Sequence, residues 1–310
     1  MHVLIAGGTG FLGRHLTGFL LAEGQRVTVM TRNPAQAAKT LPGQVEFIPW
    51  QELAAPAAGY KLRDIEGVVN LAGASIGNRR WTGAVKQEII NSRVNATRAL
   101  VTAINRGTMQ PRILLNASAV GYYGPRGDEK ITEEEAAGPD FLAQVCRHWE
   151  AEAYQVQNPA TRVVTLRIGV VLGKEGALAR MVLPYRFFLG GPLGRGTQWI
   201  SWIHVQDLIR MIRFILAQEG INGPVNGTAP NPVTMREFAK LTGRVLRRPA
   251  WLPVPEFLLK TALGQMSEML LHGQRVIPAK MLGAGFSFRY PELKAALDDL
   301  LLDRPGRDIL

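Results

Sequence analysis

Glycines near the amino terminus have the spacing of a phosphate-binding loop. Gly7, Gly10 and Gly13 give the pattern G-x-x-G-x-x-G, directly after a short apolar run and directly before a helical pattern. Glycine permits the positive φ of a tight turn and lets a pyrophosphate approach bare backbone, while the following helix directs free N–H groups at it. The pattern predicts a dinucleotide site; the alternative is a tight turn in an α/β fold without a ligand.

The end of the second predicted strand indicates which dinucleotide binds. An NAD site usually carries Asp or Glu there, about 20 residues beyond the glycines, to hold the ribose 2′-hydroxyl. This strand ends in Thr31 and Arg32 and has no carboxylate. Because a planar, permanently charged guanidinium suits a 2′-phosphate, we predict NADP(H) rather than NAD(H). The alternative is that Arg32 is a solvated surface residue.

Short apolar runs alternate with helical patterns over the first two thirds of the chain. The runs cover residues 3–6, 27–30, 68–71, 113–116 and 163–168. Near-continuous apolar runs suit strands that are covered on both faces, and their alternation with helices is typical of parallel α/β sheets. The pattern therefore predicts an α/β fold with a Rossmann-type, doubly wound parallel sheet.

A change of composition near residue 218 divides the chain. Residues 220–232 are rich in Gly, Pro and Asn, which is typical of loops, and Thr234 and Glu237 have the spacing of a capping box before a helix through Leu246. We predict an NAD(P)-binding domain at 1–218, with an excursion toward the substrate side at 173–198. A smaller, helix-rich substrate-side domain is predicted at 219–310.

The composition excludes several classes of protein. With 46% hydrophobic and 20% charged residues, the 310-residue chain can bury a core. One cysteine, Cys146, excludes an internal disulfide and a cysteine-rich zinc module, and the five histidines show no metal-ligand spacing, so we predict no metal. There is neither a signal-peptide pattern nor a run of about 20 apolar residues, which predicts a cytoplasmic location.

The charge balance is strongly basic. Lys and Arg total 36 against 25 Asp and Glu, which gives a net charge of +11. Nucleic acid, a membrane surface and phosphorylated small molecules are all compatible with such a charge. Because no nucleic-acid motif or membrane segment accompanies it, we expect an unknown small-molecule substrate, no nucleic acid and no membrane partner, and leave a homodimer open. Arg244, Arg247 and Arg248 are interpreted as a solvated face.

Further motifs resemble those of a known family. They are Asn-Leu-Ala-Gly-Ala at 70–74, Arg-Val-Asn-Ala-Thr at 93–97, Ser-Ala-Val-Gly-Tyr-Tyr-Gly at 118–124 and Trp-Ile-His-Val-Gln-Asp-Leu at 202–208. With the glycine loop, these resemble the extended short-chain dehydrogenase/reductases, the sugar-nucleotide epimerase and dehydratase group. Residues 273–278 and 285–291 resemble the C-terminal module of one atypical branch, the "epimerase family protein" group that includes human short-chain dehydrogenase/reductase family 39U member 1.

This resemblance implies a set of cofactor contacts. They are Gly7, Thr9, Gly10, Phe11, Leu12, Gly13, Thr31, Arg32, Leu71, Ala72, Glu88, Arg93 and Val171. By the same resemblance, Leu71 and Ala72 border the adenosine and ribose, and Val171 falls at the nicotinamide end. Arg93 stands where the wider family usually has Asn.

The family's catalytic pair does not carry over. Extended members use Ser or Thr, followed about 25 residues later by Tyr-x-x-x-Lys, in which Lys lowers the pKa of the Tyr that moves a proton. Ser118 fits the first role, but alignment puts Leu142 and Cys146 at the Tyr and Lys positions. Tyr122 or Tyr123 could supply a phenol instead; the alternative is that both pack the cofactor-side wall. We take Ser118 and Tyr122 as the catalytic candidates.

Two functions follow and stay open at this point. The first is an NADP(H)-dependent oxidoreductase or epimerase-like enzyme, which the retained Ser118 and a full substrate lobe favour. The second is a non-catalytic NADP(H)-binding regulator or scaffold, which the missing Tyr and Lys favour. The sequence Arg79-Arg80-Trp81 could help to hold an anionic substrate over the nicotinamide.

Overall fold

The computed structural model describes residues 1–53 and 62–302. Its strands are β1 (His2–Ala6), β2 (Arg26–Thr31), β3 (Glu46–Pro49), β4 (Gly67–Asn70), β5 (Ile113–Ala119), β6 (Lys130–Ile131), β7 (Arg162–Ile168), β8 (Val170–Leu172), β9 (Trp199–Ile200), β10 (Trp202–His204), β11 (Gly223–Gly227), β12 (Val233–Thr234) and β13 (Arg275–Val276). Its α-helices are α1 (Phe11–Ala22), α2 (Pro34–Ala37), α3 (Gly83–Asn105), α4 (Phe141–Ala153), α5 (Ala177–Arg186), α6 (Val205–Ala217), α7 (Met235–Leu246), α8 (Glu256–Leu263), α9 (Glu268–Leu271), α10 (Ala279–Gly283) and α11 (Leu293–Leu301).

Seven parallel strands form the central sheet, in the order β11-β7-β5-β4-β1-β2-β3. Residues of β1 alternate between its two faces: Val3 and Ile5 join a core beneath α1 and α6, whereas Leu4 and Ala6 join a core beneath α3. Both cores are buried, which explains why the central strands are apolar at almost every position. The predicted Rossmann-type, doubly wound sheet is therefore confirmed.

The strand order reverses between β1 and β4, and this creates a crevice at their carboxyl ends. β1 pairs with β2 on one side and with β4 on the other, so the connections after β1 and β4 leave the sheet in opposite directions. Ligands of open α/β sheets bind at such a switch point. The glycine loop follows β1 and residues 71–82 follow β4, so both lie at this crevice.

The sheet continues past the predicted boundary at residue 218. β11 pairs in parallel with β7, so the chain returns to the first domain's sheet before it enters the smaller lobe. The sequence Gly-Pro-Val-Asn-Gly of β11 has little strand propensity, and its turn-forming residues indicated a loop. Residues 223–227 thus form a strand of the sheet where a loop was expected, and the division of the chain at 218 stays a prediction.

The smaller lobe begins with the predicted capping box. The Thr234 hydroxyl accepts a hydrogen bond from the backbone N–H of Glu237 (3.2 Å), and the Glu237 carboxylate accepts one from that of Thr234 (2.8 Å). α7 packs against α11 and α5, and Phe238 and Trp202 are buried in the core that they share. Within the described ranges, no helix has both the length and the apolarity to cross a membrane.

Candidate functional site

The glycine loop places bare backbone at the crevice. Gly7 has φ +81°, and a Cβ built on it would lie 2.8 Å from the carbonyl carbon of Leu71. A Cβ on Gly13 would lie 2.4 Å from the carbonyl oxygen of Gly7, so α1 packs directly on the loop. No side chain caps α1, which leaves the N–H groups of Phe11, Leu12 and Gly13 without helical partners. These donors and the positive end of the helix suit a pyrophosphate.

A cleft of about 1480 Å³ runs from this loop across the carboxyl ends of β1, β2 and β4. It brings together Gly7, Thr9, Gly10, Thr31, Arg32, Leu71, Ala72 and Glu88 from the predicted set. Residues that were not predicted as cofactor contacts also line it, namely Met30, Asn33, Gln36, Ala37, Thr40, Trp50, Gly73, Ala74, Ser75, Asn91, Ser92, Asn95, Ala96 and Ala99. Those on α3 recur at three- and four-residue steps, and Asn95 and Ala96 also belong to the motif at 93–97, so both signals pointed to this face of the helix.

The wall formed by residues 71 and 72 is held by a buried amide. The Asn70 side chain donates to the Thr97 hydroxyl (2.9 Å) and to the Asn116 side-chain oxygen (2.6 Å). Its own oxygen accepts the backbone N–H of Ala72 (3.1 Å). Since all three polar side chains are fully buried, this network holds the loop after β4 in one position against the glycine loop.

Arg32 lies at the end of the cleft beneath α2. Its side chain is exposed, and it forms no ion pair with any carboxylate in the described ranges. Neighbouring polar groups complete this end: the Asn33 side chain caps α2 by accepting from the Gln36 N–H (3.1 Å), and the Thr31 hydroxyl accepts from the Asn33 N–H (3.2 Å). The site offers a free guanidinium where a 2′-phosphate would need one.

Five predicted cofactor contacts are not among the residues that line this cleft, namely Phe11, Leu12 and Gly13 at the start of α1, and Arg93 and Val171. Arg93 donates to the carbonyl oxygens of Ala74 (3.1 Å) and Ile89 (3.0 Å), so it supports the loop after β4 from behind. Burial lowers the pKa of Arg93. Val171 lies in β8 and packs against the sheet core. Direct contacts of Arg93 and Val171 with a cofactor stay predictions.

Ser118 belongs to a buried ionic network. It is 3% exposed, and its hydroxyl donates to the Glu150 carboxylate at 2.7 Å. Glu150 in turn accepts two hydrogen bonds from Arg167, each at 2.9 Å, and both partners are buried. The hydroxyl proton of Ser118 is therefore engaged in the hydrogen bond to Glu150. Only the lone pairs of the Ser118 hydroxyl oxygen are available to another hydrogen-bond donor.

The two tyrosines after β5 pack against the same arginine. The Tyr122 ring lies 3.5 Å from the guanidinium of Arg167. Tyr123 is fully buried; its hydroxyl accepts from Arg167 (3.0 Å) and donates to the Asn226 side chain (2.7 Å). Burial raises the pKa of Tyr123 to about 12, so this phenol keeps its proton at neutral pH. Tyr122 is the half-buried member of the pair and stays the catalytic candidate.

Leu142 and Cys146 of α4 are uncharged residues beside the end of β5. Leu142 lies against Gly121, where an added Cβ would come within 3.2 Å of the Leu142 Cβ. Cys146 is buried, and its thiol donates to the Ala119 carbonyl at 3.6 Å. Burial raises the pKa of the Cys146 thiol to about 11. At the positions that alignment equates with Tyr and Lys, the site thus holds an alkyl group and a protonated thiol.

The basic loop after β4 is engaged by neighbouring elements. Arg79 forms an ion pair with Glu88 of the cleft wall. Arg80 donates to the Ala262 carbonyl at the end of α8 (2.8 Å), and Arg180 of α5 donates to the Gly77 carbonyl (3.0 Å). The loop therefore connects the sheet domain to the smaller lobe. Across the described residues, no group of three His, Cys, Asp or Glu side chains could hold a metal ion.

A bare glycine loop at the switch point of a doubly wound parallel sheet defines a Rossmann-type nucleotide-binding protein. Comparison with known families identifies the family within this class. The chain belongs to the NAD dependent epimerase/dehydratase family, whose model matches residues 3–226. A second model, described as a domain of unknown function (DUF1731), matches residues 254–300. The resemblance stated from the sequence, C-terminal module included, is confirmed.

Full-length relatives and a solved structure agree with this placement. Epimerase family protein YfhF of Bacillus subtilis is 45% identical over 306 residues, which cover 98% of this chain and 99% of YfhF. The chloroplastic SDR39U1 homolog of Arabidopsis thaliana is 42% identical, over 96% of this chain and 86% of the homolog. The crystal structure of human SDR39U1 with NADPH superposes with a TM-score of 0.88 at 38% identity, over 97% of this chain and 99% of the human chain.

Proposed function

We propose that this chain binds NADP(H) and acts as an oxidoreductase or epimerase-like enzyme on a small molecule. The observation that carries the cofactor assignment is Arg32, an exposed guanidinium without a carboxylate partner at the end of β2. An NAD site would favour a carboxylate at this point, and a carboxylate would repel a 2′-phosphate. The human relative whose structure contains NADPH supports the same choice.

The residues present fit such a cofactor along the whole cleft. Backbone N–H groups at the start of α1 would hold the pyrophosphate, and Arg32 with Asn33 would hold the 2′-phosphate. Leu71 and Ala72 would border the adenosine and its ribose. When bound, the nicotinamide supplies hydride transfer to or from a carbon of the substrate.

Proton transfer in this proposal cannot use a Tyr–Lys pair. Leu142 has no proton to give, and the protonated thiol of Cys146 carries no positive charge that would lower a phenol pKa. We propose that Tyr122 supplies the phenol and that Ser118, held by Glu150, accepts a hydrogen bond from a substrate hydroxyl. Arg167, in contact with the Tyr122 ring, would position it.

The uncharged residues Leu142 and Cys146 also favour the second candidate function. A protein that holds NADP(H) without turnover, as a regulator or scaffold, needs the cleft but neither acid nor base near the nicotinamide. The two candidates share the cofactor site and differ only in chemistry. The cytoplasmic location, the small-molecule substrate and a homodimer are further parts of the proposal.

Calorimetric titration with both reduced coenzymes tests the cofactor assignment. We expect NADPH to bind at least tenfold more tightly than NADH, because only NADPH engages Arg32. Tighter binding of NADH would overturn the assignment. To test for chemistry, the NADPH-loaded protein is incubated with carbonyl compounds and nucleotide sugars, with nicotinamide absorbance and product composition both measured. Tight NADPH binding with no product from any compound would favour the non-catalytic candidate.

A further inference from the structure

An exposed apolar surface is formed by the 173–198 excursion together with the smaller lobe, and it shares no residue with the cofactor cleft. We call it the aromatic patch and define it by Phe187, Phe188, Leu189, Trp251, Leu252 and Phe257. Trp251 is 72% exposed and Phe187 67%, values that are unusual for side chains of this size. Several large apolar groups exposed together indicate an interaction surface rather than scattered surface residues.

The patch is continuous because its two segments run side by side. The Leu252 N–H donates to the Gly190 carbonyl (3.1 Å), and the Val254 N–H donates to the Pro192 carbonyl (2.9 Å). The Arg248 guanidinium lies 4.4 Å from the centre of the Phe188 ring, which links the segments on their outer side. The two segments, with their exposed apolar side chains, therefore lie next to each other.

The segments that carry the patch are rich in cations, and most of these lack a counter-charge. Residues 177–195 and 244–263 contain the cations Arg180, Arg186, Arg195, Arg244, Arg247, Arg248 and Lys260. These two segments contain one carboxylate, Glu256, which lies 3.6 Å from Arg195 and 3.7 Å from Lys260. No carboxylate in the described part of the chain pairs with Arg186, Arg244, Arg247 or Arg248. The surface therefore combines unpaired guanidinium groups with exposed Trp, Phe and Leu.

We propose that the aromatic patch docks on the surface of an anionic phospholipid bilayer. Projecting Trp and Phe side chains gain burial at the boundary between headgroups and acyl chains, and arginines beside them pair with lipid phosphates. A second copy of this chain suits the surface less well, because a face-to-face dimer would bring arginines against arginines. An acidic protein would match the cations, but six large apolar side chains that are 39–72% exposed fit a deformable apolar phase better.

This attachment is peripheral and crosses no membrane. It replaces the sequence-based expectation of no membrane partner, which rested on the lack of a membrane segment. It also reinterprets Arg244, Arg247 and Arg248, which were expected to form a solvated face. The proposal is independent of NADP(H) binding, so failure of one leaves the other standing.

Vesicle sedimentation with the full chain tests the proposal. We expect the protein to sediment with vesicles of phosphatidylcholine containing 30% phosphatidylglycerol, and at least tenfold less with phosphatidylcholine alone. The variant Arg247→Gln/Arg248→Gln should bind the anionic vesicles about 10- to 30-fold more weakly. Its matched control is Arg106→Gln/Arg112→Gln, which removes two exposed arginines elsewhere and should bind within about threefold of the parent.

The contribution of the apolar side chains is tested with the double variant Phe187→Ser/Trp251→Ser. Its matched control is Leu282→Ser/Leu302→Ser, because Leu282 and Leu302 are 46% and 41% exposed and lie outside the patch. Only the first pair should lose vesicle binding, with thermal unfolding confirming that each variant is folded. Independently, vesicles should shift the parent's tryptophan fluorescence to shorter wavelength, and Trp251→Phe should abolish the shift.

Three outcomes would overturn the proposal. They are no sedimentation with anionic vesicles, equal loss of binding in patch and control variants, and a lipid-free dimer that Phe187→Ser/Trp251→Ser dissociates in light scattering. The last outcome would assign the surface to a second copy.

Discussion

At the residue scale, the proposed preference for NADPH over NADH depends on Arg32. We expect Arg32→Ala to weaken NADPH binding about 10- to 100-fold and to change NADH binding less than threefold, because a charge-assisted hydrogen bond contributes about 1.5–3 kcal/mol. Calorimetry with both coenzymes measures this. Arg112→Ala removes an exposed arginine at the amino-terminal edge of β5 and should change neither affinity. An equal loss for NADPH and NADH in Arg32→Ala would contradict the proposed role.

Glu150 is the residue on which the buried network depends. In Glu150→Gln, the buried Arg167 keeps its charge but loses its counter-charge, which we expect to lower the free energy of unfolding by about 3–5 kcal/mol. Glu152→Gln on the same helix breaks an ion pair whose arginine, Arg98, is largely exposed, and should cost less than about 1 kcal/mol. Urea unfolding of both variants measures the difference. Similar losses in the two would mean that burial does not set the strength of the Glu150–Arg167 pair.

At the element scale, α1 serves the site by packing tightly on the glycine loop. The close approach is local to Gly13: Gly18, one turn and a half further along the helix, has no atom within 4 Å of a Cβ built on it. We expect Gly13→Ala to destabilise the protein by about 1–3 kcal/mol and to weaken NADPH binding, because helix and loop must separate. Gly18→Ala should be neutral or raise stability by up to about 1 kcal/mol.

Thermal unfolding and NADPH titration of the two alanine variants check this prediction. The comparison uses the same substitution in the same helix, so helix propensity favours both equally and only the contact with the loop differs. Unchanged NADPH affinity in a folded Gly13→Ala protein would show that the spacing between α1 and the loop does not shape the pyrophosphate site.

At the scale of the whole molecule, His204 joins the sheet domain to the C-terminal module. It is fully buried at the start of α6, stacks on Tyr290 with ring centres 3.9 Å apart, and has its Nε2 3.4 Å from the Asp299 carboxylate. Burial lowers the pKa of His204 to about 4, although Asp299 and Asp207 oppose the shift. The folded protein therefore holds this imidazole neutral well below its ordinary pKa.

The consequence is a dependence of stability on pH. Because the pKa of His204 is near 6.5 when unfolded and about 4 when folded, its stabilisation is complete above pH 6.5 and is lost as pH falls toward 4, by roughly 3 kcal/mol in total. Urea unfolding at a series of pH values measures the slope. His204 accepts a hydrogen bond from the Gln206 N–H at 3.1 Å, and the variant His204→Asn keeps a side-chain acceptor for it. Because asparagine does not titrate, this variant should reduce the dependence of the free energy of unfolding on pH. An unchanged slope in His204→Asn would assign the acid sensitivity to other groups.

Local patterns in the chain were enough to predict the sheet and the glycine loop at its switch point. The glycine loop, Arg32 and the buried strands are encoded by neighbouring residues whose backbone freedom, charge and periodicity act over a few positions. The same local reasoning failed at β11, where turn-forming residues occupy a sheet edge because β7 offers a ladder of hydrogen bonds.

What the sequence by itself determined is thus the sheet, the loop at its switch point and the family. Only the tertiary structure decided that Ser118 donates to Glu150, that Arg167 lies against Tyr122, and that the segments carrying Phe187 and Trp251 lie side by side. These partners are separated by tens of residues along the chain. Whether such residues meet depends on how whole elements pack, and no periodicity or motif within one segment records that packing.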